Sequence, residues 1–244
     1  MAKPFKFKEF TVKQDKCAMK IGTDGVLLGA WASLKNNPNS ILDIGSGTGI
    51  IALQIAQRSD AEIIDALEID DNAYEQTVEN FENSDWGDRL FCYHASVQQF
   101  INEIDDKYDL IISNPPFYND DFETKSKARN TARFTSSLSF NELLISVSKL
   151  LEKDGLFSTI IPFKEEQHFI ELASKAHLFP SRMCRVKGTP KSKIKRSILE
   201  FSFLAMPDGR QESEIEITEL IIELERHQYT KEYVALVQDF YLKM

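Results

Sequence analysis

Asn114, Pro115, Pro116 and Phe117 stand together directly after the apolar run Tyr108-Asp109-Leu110-Ile111-Ile112-Ser113. A run of that kind, bounded by turn-formers, reads as a buried strand of a parallel sheet. Two successive prolines end its hydrogen-bonding ladder and hold the chain extended past its carboxyl end. Open α/β sheets bind their ligands there. The turn offers the amide oxygen of Asn114, the backbone carbonyl of Pro115 and the ring of Phe117. Two acceptors and a ring suit a planar aromatic amine, whose two N–H bonds the acceptors take while the ring stacks on the heterocycle. Chance places such an Asn-Pro-Pro-aromatic turn in roughly one chain of this size in several hundred.

A second constellation lies upstream. Ser40-Ile41-Leu42-Asp43-Ile44 is a short apolar strand, followed by Gly45-Ser46-Gly47-Thr48-Gly49 and a segment of helical spacing from Ile50 to Arg58. Strand, glycine-rich turn and helix form the nucleotide-binding first unit of a doubly wound fold. The glycines allow a tight turn and close approach to a ligand, and the helix start offers free N–H groups. A strand from Glu62 to Ile69 follows and carries Glu68 at its end, where an acid can hold ribose hydroxyls. Without the glycine turn, Glu68 would read as an exposed strand-end acid. The dinucleotide fingerprint needs a glycine where Ile50 stands. Alternating Gly45, Gly47 and Gly49, with Asp43 two residues before the first, instead resemble the first motif of the class I S-adenosylmethionine-dependent methyltransferases.

These turns need elements to hold them. Strands are expected at about 40–44, 62–69, 89–94, 108–113, 155–161, 181–187 and 197–205, and helices at about 48–58, 71–82, 139–152 and 164–176. Thr23-Asp24 reads as a helix start running to Trp31, with Asp24 as N-cap. Tyr233, Leu236, Val237 and Phe240 form a stripe of core packing at helical spacing. Alternating strand and helix argue a doubly wound, mostly parallel, seven-stranded sheet with helices on both faces. The polar, basic segment 118–138 follows the proline turn with neither periodicity, as expected of a lid or substrate clamp.

At 244 residues and 42% hydrophobic, the chain can bury one good core. Its start, Met1-Ala2-Lys3-Pro4-Phe5-Lys6-Phe7, lacks the apolar region of a signal peptide, and no stretch approaches a membrane span. Cys17, Cys92 and Cys184 have neither zinc nor disulfide spacing, so reduced thiols and no metal are expected. His94 reads as structural. The net charge of −9 disfavours a nucleic-acid partner, but seventeen of the 29 lysines and arginines fall in three short segments, 3–20, 125–133 and 182–196. The second holds Lys125, Lys127, Arg129 and Arg133. The third, with no acid among its residues, includes Lys187, Lys191 and Lys193 around Gly188-Thr189-Pro190. A chain acidic overall can still present a local positive face to phosphates.

The stretch Phe10-Thr11-Val12, then Gln14 to Trp31 with Cys17-Ala18-Met19-Lys20-Ile21-Gly22-Thr23-Asp24-Gly25, is similar to the opening of the bacterial tRNA1(Val) (adenine-37-N6)-methyltransferases. The likeness continues through Ile112 to Tyr118, Ala132-Arg133-Phe134-Thr135 and Phe240-Tyr241-Leu242. It implies one S-adenosylmethionine-dependent domain over residues 1–244, with residues 1–35 an extension capping the cofactor and substrate site. It also implies a cytoplasmic enzyme that methylates the exocyclic nitrogen of adenosine 37 in a tRNA anticodon loop. Carried over, Asn114 and Pro115 hold the target amino group, Pro116 stiffens the turn and Phe117 stacks on the base. The cofactor falls to Asp24, Asp43, Gly45, Ser46, Gly47, Gly49, Glu68 and Asn114. Ser96 stands where the family carries an aspartate toward the cofactor adenine, and Gln98 is a substitute. Two other functions share the motifs: a glutamine N5-methyltransferase acting on a protein, and an inactive RNA-binding module of the same fold.

Overall fold

The computed structural model describes residues 3–116, 138–203 and 215–244. A small antiparallel pair, β1 (Phe5–Lys6) and β2 (Thr11–Val12), precedes helix α1 (Thr23–Trp31). The doubly wound part follows as β3 (Ser40–Ile44), α2 (Ile50–Arg58), β4 (Ile63–Glu68), α3 (Asp71–Glu82), β5 (Leu90–His94), α4 (Val97–Glu103) and β6 (Tyr108–Ser113). Beyond the proline turn come α5 (Phe140–Leu150), β7 (Leu151–Pro162), a 3-10 turn at Phe163–Glu165, α6 (Glu166–Lys175), β8 (Leu178–Lys187) and β9 (Ile194–Phe203). The chain closes with β10 (Glu216–Ile221), a small pair β11 (Glu223–Glu225) and β12 (Gln228–Tyr229), and α7 (Lys231–Val237).

The main sheet has eight strands in the order β10-β8-β9-β7-β6-β3-β4-β5. All its pairings are parallel except those of β9, which runs against β7 and β8. The expected class is borne out, and the expected strand count rises by one. The additional strand, β10, is an edge strand whose residues are exposed apart from Leu220 and the half-covered Ile221. Its sequence therefore lacks the alternation by which a half-buried strand is read. Helix α4 was also absent from the expected elements. It has seven residues, too few for a periodic signal, but Ser96 and Gln99 form a reciprocal capping box that the Ser-x-x-Gln spacing encodes.

Alternation within the strands divides the core. Ile41, Ile64, Ala66, Leu110, Ile112, Ile160 and Ile198 face α1, α2 and α7, in a cluster that also takes in Phe7, Phe10 and Phe240. Leu42, Ile44, Leu67, Ile111, Phe157, Ile161 and Phe201 face α4, α5 and α6. Successive strand residues thus serve opposite layers, which is why the parallel strands read as unbroken apolar runs. Helix α1 is expected with Asp24 as its N-cap, but the cap is Gly22, in extended conformation and without a side-chain bond. The Asp24 carboxylate is drawn away to Arg196.

Candidate active site

Sheet register brings the two motifs side by side. Ile44 pairs with Leu67 on one flank and with Ser113 on the other. Gly45 and Asn114, just past the ends of β3 and β6, and Glu68, the last residue of β4, therefore share the carboxyl edge of adjacent strands. Asn114 is half-buried, Pro115 buried and Pro116 exposed. Ser113 is fixed beneath them by donating to the Ile44 carbonyl at 2.8 Å.

The glycine turn is held by hydrogen bonds from three directions. The amides of Gly45 and Ser46 both donate to the Leu67 carbonyl, at 2.9 and 3.0 Å. The Gly47 amide donates to Glu68 Oε2 at 2.8 Å, while Ile69 and Asp70 amides donate to Glu68 Oε1 at 2.8 and 2.9 Å. The Gly47 carbonyl accepts from Thr77 Oγ1 at 2.9 Å and from Cys17 Sγ at 3.2 Å. Gly45, Gly47 and Gly49 all have positive φ, at 78, 60 and 75°, the left-handed region that favours glycine. A Cβ at Gly45 or Gly47 would meet no atom within 4 Å, so the turn borders open space. At Gly49 it would strike the Phe81 ring at 2.6 Å, so that glycine serves packing.

Asp43 is 1% exposed, and neither carboxylate oxygen has a hydrogen-bond partner. Burial pushes its pKa up to about 7. The Ala52 amide opposes that rise from outside ordinary hydrogen-bond geometry, and the charge of Glu68 adds to it. An unpartnered buried carboxyl beside an open glycine cradle fits a small molecule carrying a cationic group. The residues present therefore suit an amino-acid-bearing nucleoside such as S-adenosylmethionine.

The segment preceding α1 closes over this turn. The Asn80 side chain on α3 accepts from the Lys13 amide at 2.8 Å and donates to the Lys13 and Thr48 carbonyls, both at 2.9 Å. Gln76 Oε1 accepts from the Lys16 amide at 2.8 Å. A Cβ at Gly25 would meet Ile50 Cγ2 at 3.3 Å, so the first turn of α1 abuts that of α2. Gln76 and Asn80 escaped the sequence reading because buried amides on a helix leave no periodic signal. Ser96, by contrast, is brought near the strand ends but spends its hydroxyl on Gln99 in the capping box. Gln98, two residues past Ser96, is exposed.

Phe117, Lys125, Lys127, Arg129 and Arg133, together with the expected lid at 118–138 except its last residue, lie outside the described residues. Lysines of the 3–20 segment, one of the three basic clusters, are largely used internally. Lys13 and Lys16 pair with Glu79 and Glu75, and Lys8 and Lys20 donate to backbone carbonyls. Lys187 pairs with Glu219 at 2.7 Å. The three cysteines are free, and burial pushes Cys17 and Cys92 up to about 11 and about 12. Among the described residues no group of three or more His, Cys, Asp or Glu could hold a metal ion, and no helix is long and apolar enough to cross a membrane. A groove of about 340 Å³ between α3 and β5, lined by Tyr74, Phe81, Phe91 and Tyr93, includes none of the glycine-turn residues.

Residues 23–137, from α1 through the proline turn, match the methyltransferase small domain. The fold is shared with a predicted O-methyltransferase from Agrobacterium tumefaciens, at a TM-score of 0.67 and 16% identity over 89% of this chain and 96% of that one. Sheet order and glycine turn thus define a class I, Rossmann-like methyltransferase. The sequence is 60% identical to the tRNA1(Val) (adenine(37)-N6)-methyltransferase of Christiangramia forsetii, across 99% of this chain and 98% of that protein. It is 59% identical to the protein of the same name from Flavobacterium johnsoniae, across 98% of this chain and all of that one. The chain belongs to the tRNA1(Val) (adenine(37)-N6)-methyltransferase family.

Proposed function

We propose that this protein transfers a methyl group from S-adenosylmethionine to the N6 amino group of adenosine 37 in the anticodon loop of a valine tRNA. The observation that carries the reading is the pairing of Ser113 with Ile44, which sets Asn114-Pro115 beside the glycine turn. A target amine and a methyl donor held there would be neighbours.

S-adenosylmethionine, when bound, supplies a methyl already activated on a sulfonium, so the chain's task is positioning. Asp43 would take the amino group of the methionine moiety, its buried carboxyl gaining the charged partner it lacks. The backbone of Gly45, Ser46, Gly47 and Gly49 would line the cradle, with Asp24 at the neighbouring start of α1 and Ser96 beyond β5. Glu68 already accepts three amide hydrogens, so of a carboxylate's roughly four lone-pair sites one is left for a ribose hydroxyl. Residues 1–35 would cap the site from above.

An aromatic amine is a weak nucleophile because its lone pair is delocalised into the ring. Asn114 Oδ1 and the Pro115 carbonyl would accept its two N–H bonds, favouring a pyramidal nitrogen with the lone pair aimed at the methyl. Pro116 keeps the turn stiff, and Phe117 would replace the stacking lost when the base leaves its loop. The product proton can leave after transfer, so no dedicated base is needed.

The decisive assay is transfer of labelled methyl from S-adenosylmethionine to unmodified tRNA, followed by nucleoside analysis. Label should appear in N6-methyladenosine, and Asn114→Ala should lower kcat by about 100-fold or more with S-adenosylmethionine affinity within about threefold of wild type. No label in tRNA from protein that binds the cofactor would sink the reading.

A further inference from the structure

The basic run 182–196 divides in two. Arg182 pairs with Glu200 at 3.1 Å and lies over the Trp31 ring, 3.7 Å from its centroid. Arg185 pairs with Glu166, Lys187 with Glu219 and Arg196 with Asp24, each at 2.7–2.8 Å. Those four cations tie β8 and β9 to the rest of the molecule. Lys191, Lys193 and Lys195 are exposed, and their ammonium groups meet no acid among the described residues. Resting on the tRNA reading, we propose that these three lysines form a ridge that grips the phosphate backbone beside the target nucleotide.

Topology puts the ridge on the working edge. Strand β8 runs with β7 and β9 returns against both, so the connection between them lies at the carboxyl edge of the sheet. That edge also carries Asn114 and the glycine turn. Arg196 pairs in register with Pro162, at the end of β7. Register passes from Val186–Arg196 to Lys187–Ile194, so Lys195 is the extra residue of a β-bulge and stands exposed. It lies two residues before the buried Ser197, whose hydroxyl donates to Glu166 at the start of α6. Lys193 precedes Lys195 by two residues, an advance of at most about 7 Å along the chain. The hairpin tip is closed by the Thr189 amide donating to Ser192 Oγ and the Ser192 amide donating to the Thr189 carbonyl, each at 3.0 Å. A tip ordered before binding has less entropy to lose on contact.

Electrostatics favours RNA phosphates as the occupant. Whole-molecule charge is −9, but fields from distant acids decay over about 8 Å at physiological salt. Among the described residues Lys191, Lys193 and Lys195 form no ion pair, and no acid lies in the sequence between Arg182 and Arg196. The one acidic neighbour among them fixed to the hairpin tip is Glu223, whose amide donates to the Gly188 carbonyl at 2.9 Å. The three cations therefore act inside the screening distance. Backbone contacts of this kind set register on the nucleic acid and leave base choice to the pocket.

The test compares Lys191→Gln/Lys193→Gln/Lys195→Gln with a charge-matched control at the opposite edge, Lys107→Gln/Lys149→Gln/Lys153→Gln. Direct binding of unmodified tRNA is measured against salt, and methyl transfer is followed in parallel. The hairpin variant should bind about tenfold or more weakly, with the slope of log affinity against log salt reduced by about 2. Its kcat at saturating tRNA and its S-adenosylmethionine affinity should be unchanged, and the control should stay within about twofold of wild type. Equal losses in the two variants, or none in either, overturn the ridge. Because binding and methyl transfer are read separately, wild-type protein that binds tRNA but yields no N6-methyladenosine would defeat the functional reading and leave the ridge to stand or fall on its own data.

Discussion

Burial in β3 strips water from the Asp43 carboxyl and raises its pKa from the ordinary 3.8 to about 7. In the ligand-free protein the folded state therefore holds the proton more tightly than the unfolded chain. The associated stability is complete below about pH 3.8 and is lost as pH rises through about 7. Between pH 5 and pH 8 that loss amounts to roughly 2–3 kcal/mol. Asp43→Asn keeps the shape and cannot ionise. Denaturation of the ligand-free protein should show wild type losing stability relative to the Asn variant across this interval. Parallel pH profiles for the two proteins would show that Asp43 is ionised throughout. Residue type was legible here, since an acid before alternating glycines is a sequence pattern. The missing partner was not, because only packing decides whether water reaches a carboxyl.

At the level of elements, α3 works as a bracket. Gln76, Thr77 and Asn80 are all buried, and their bonds run to the segment before α1 and to the glycine turn. Asn80→Ala removes three hydrogen bonds and leaves the Lys13 amide and the Lys13 and Thr48 carbonyls without that partner. A destabilisation of about 2–4 kcal/mol is expected, together with S-adenosylmethionine affinity lowered by about tenfold, because both walls of the cradle are released. Urea denaturation and cofactor titration check this, and a variant that loses stability with full affinity would confine Asn80 to a packing role. The helix was legible at 71–82, where it is observed, because its apolar spacing is local. Its inward polar face was not, since the groups it satisfies lie up to 67 residues away.

Across the whole molecule, the segment at 5–12 is clasped to the segment around 240. Phe7 bridges to Tyr241, the Lys8 amide donates to the Phe240 carbonyl at 2.9 Å, and Phe7 lies between the rings of Phe5, Phe10 and Tyr241. Phe240 itself is 1% exposed. Phe240→Ala should cost about 3–5 kcal/mol, seen as a lower urea midpoint at unchanged slope, and a loss below about 1 kcal/mol would mean the clasp contributes little. The stripe Tyr233, Leu236, Val237 and Phe240 was readable as core packing. Its observed helix, Lys231–Val237, ends before Phe240, which is buried in the core cluster it shares with Phe7, Phe10 and Val237 rather than by helical periodicity.

The sequence by itself determined the doubly wound class, the glycine turn and the proline turn. Each of these is written in backbone chemistry of near neighbours: φ freedom at glycine, a missing N–H at proline, and apolar runs that must be covered on both faces. The tertiary structure alone decided which charges remain for a partner. Arg196 meets Asp24 from 172 residues away and Arg182 meets Glu200, 18 residues on, as its register partner in the antiparallel β8–β9 pair, while Lys191, Lys193 and Lys195 are left at the edge. Charge is counted along the chain, but an ion pair forms only where packing brings opposite charges within a few ångströms.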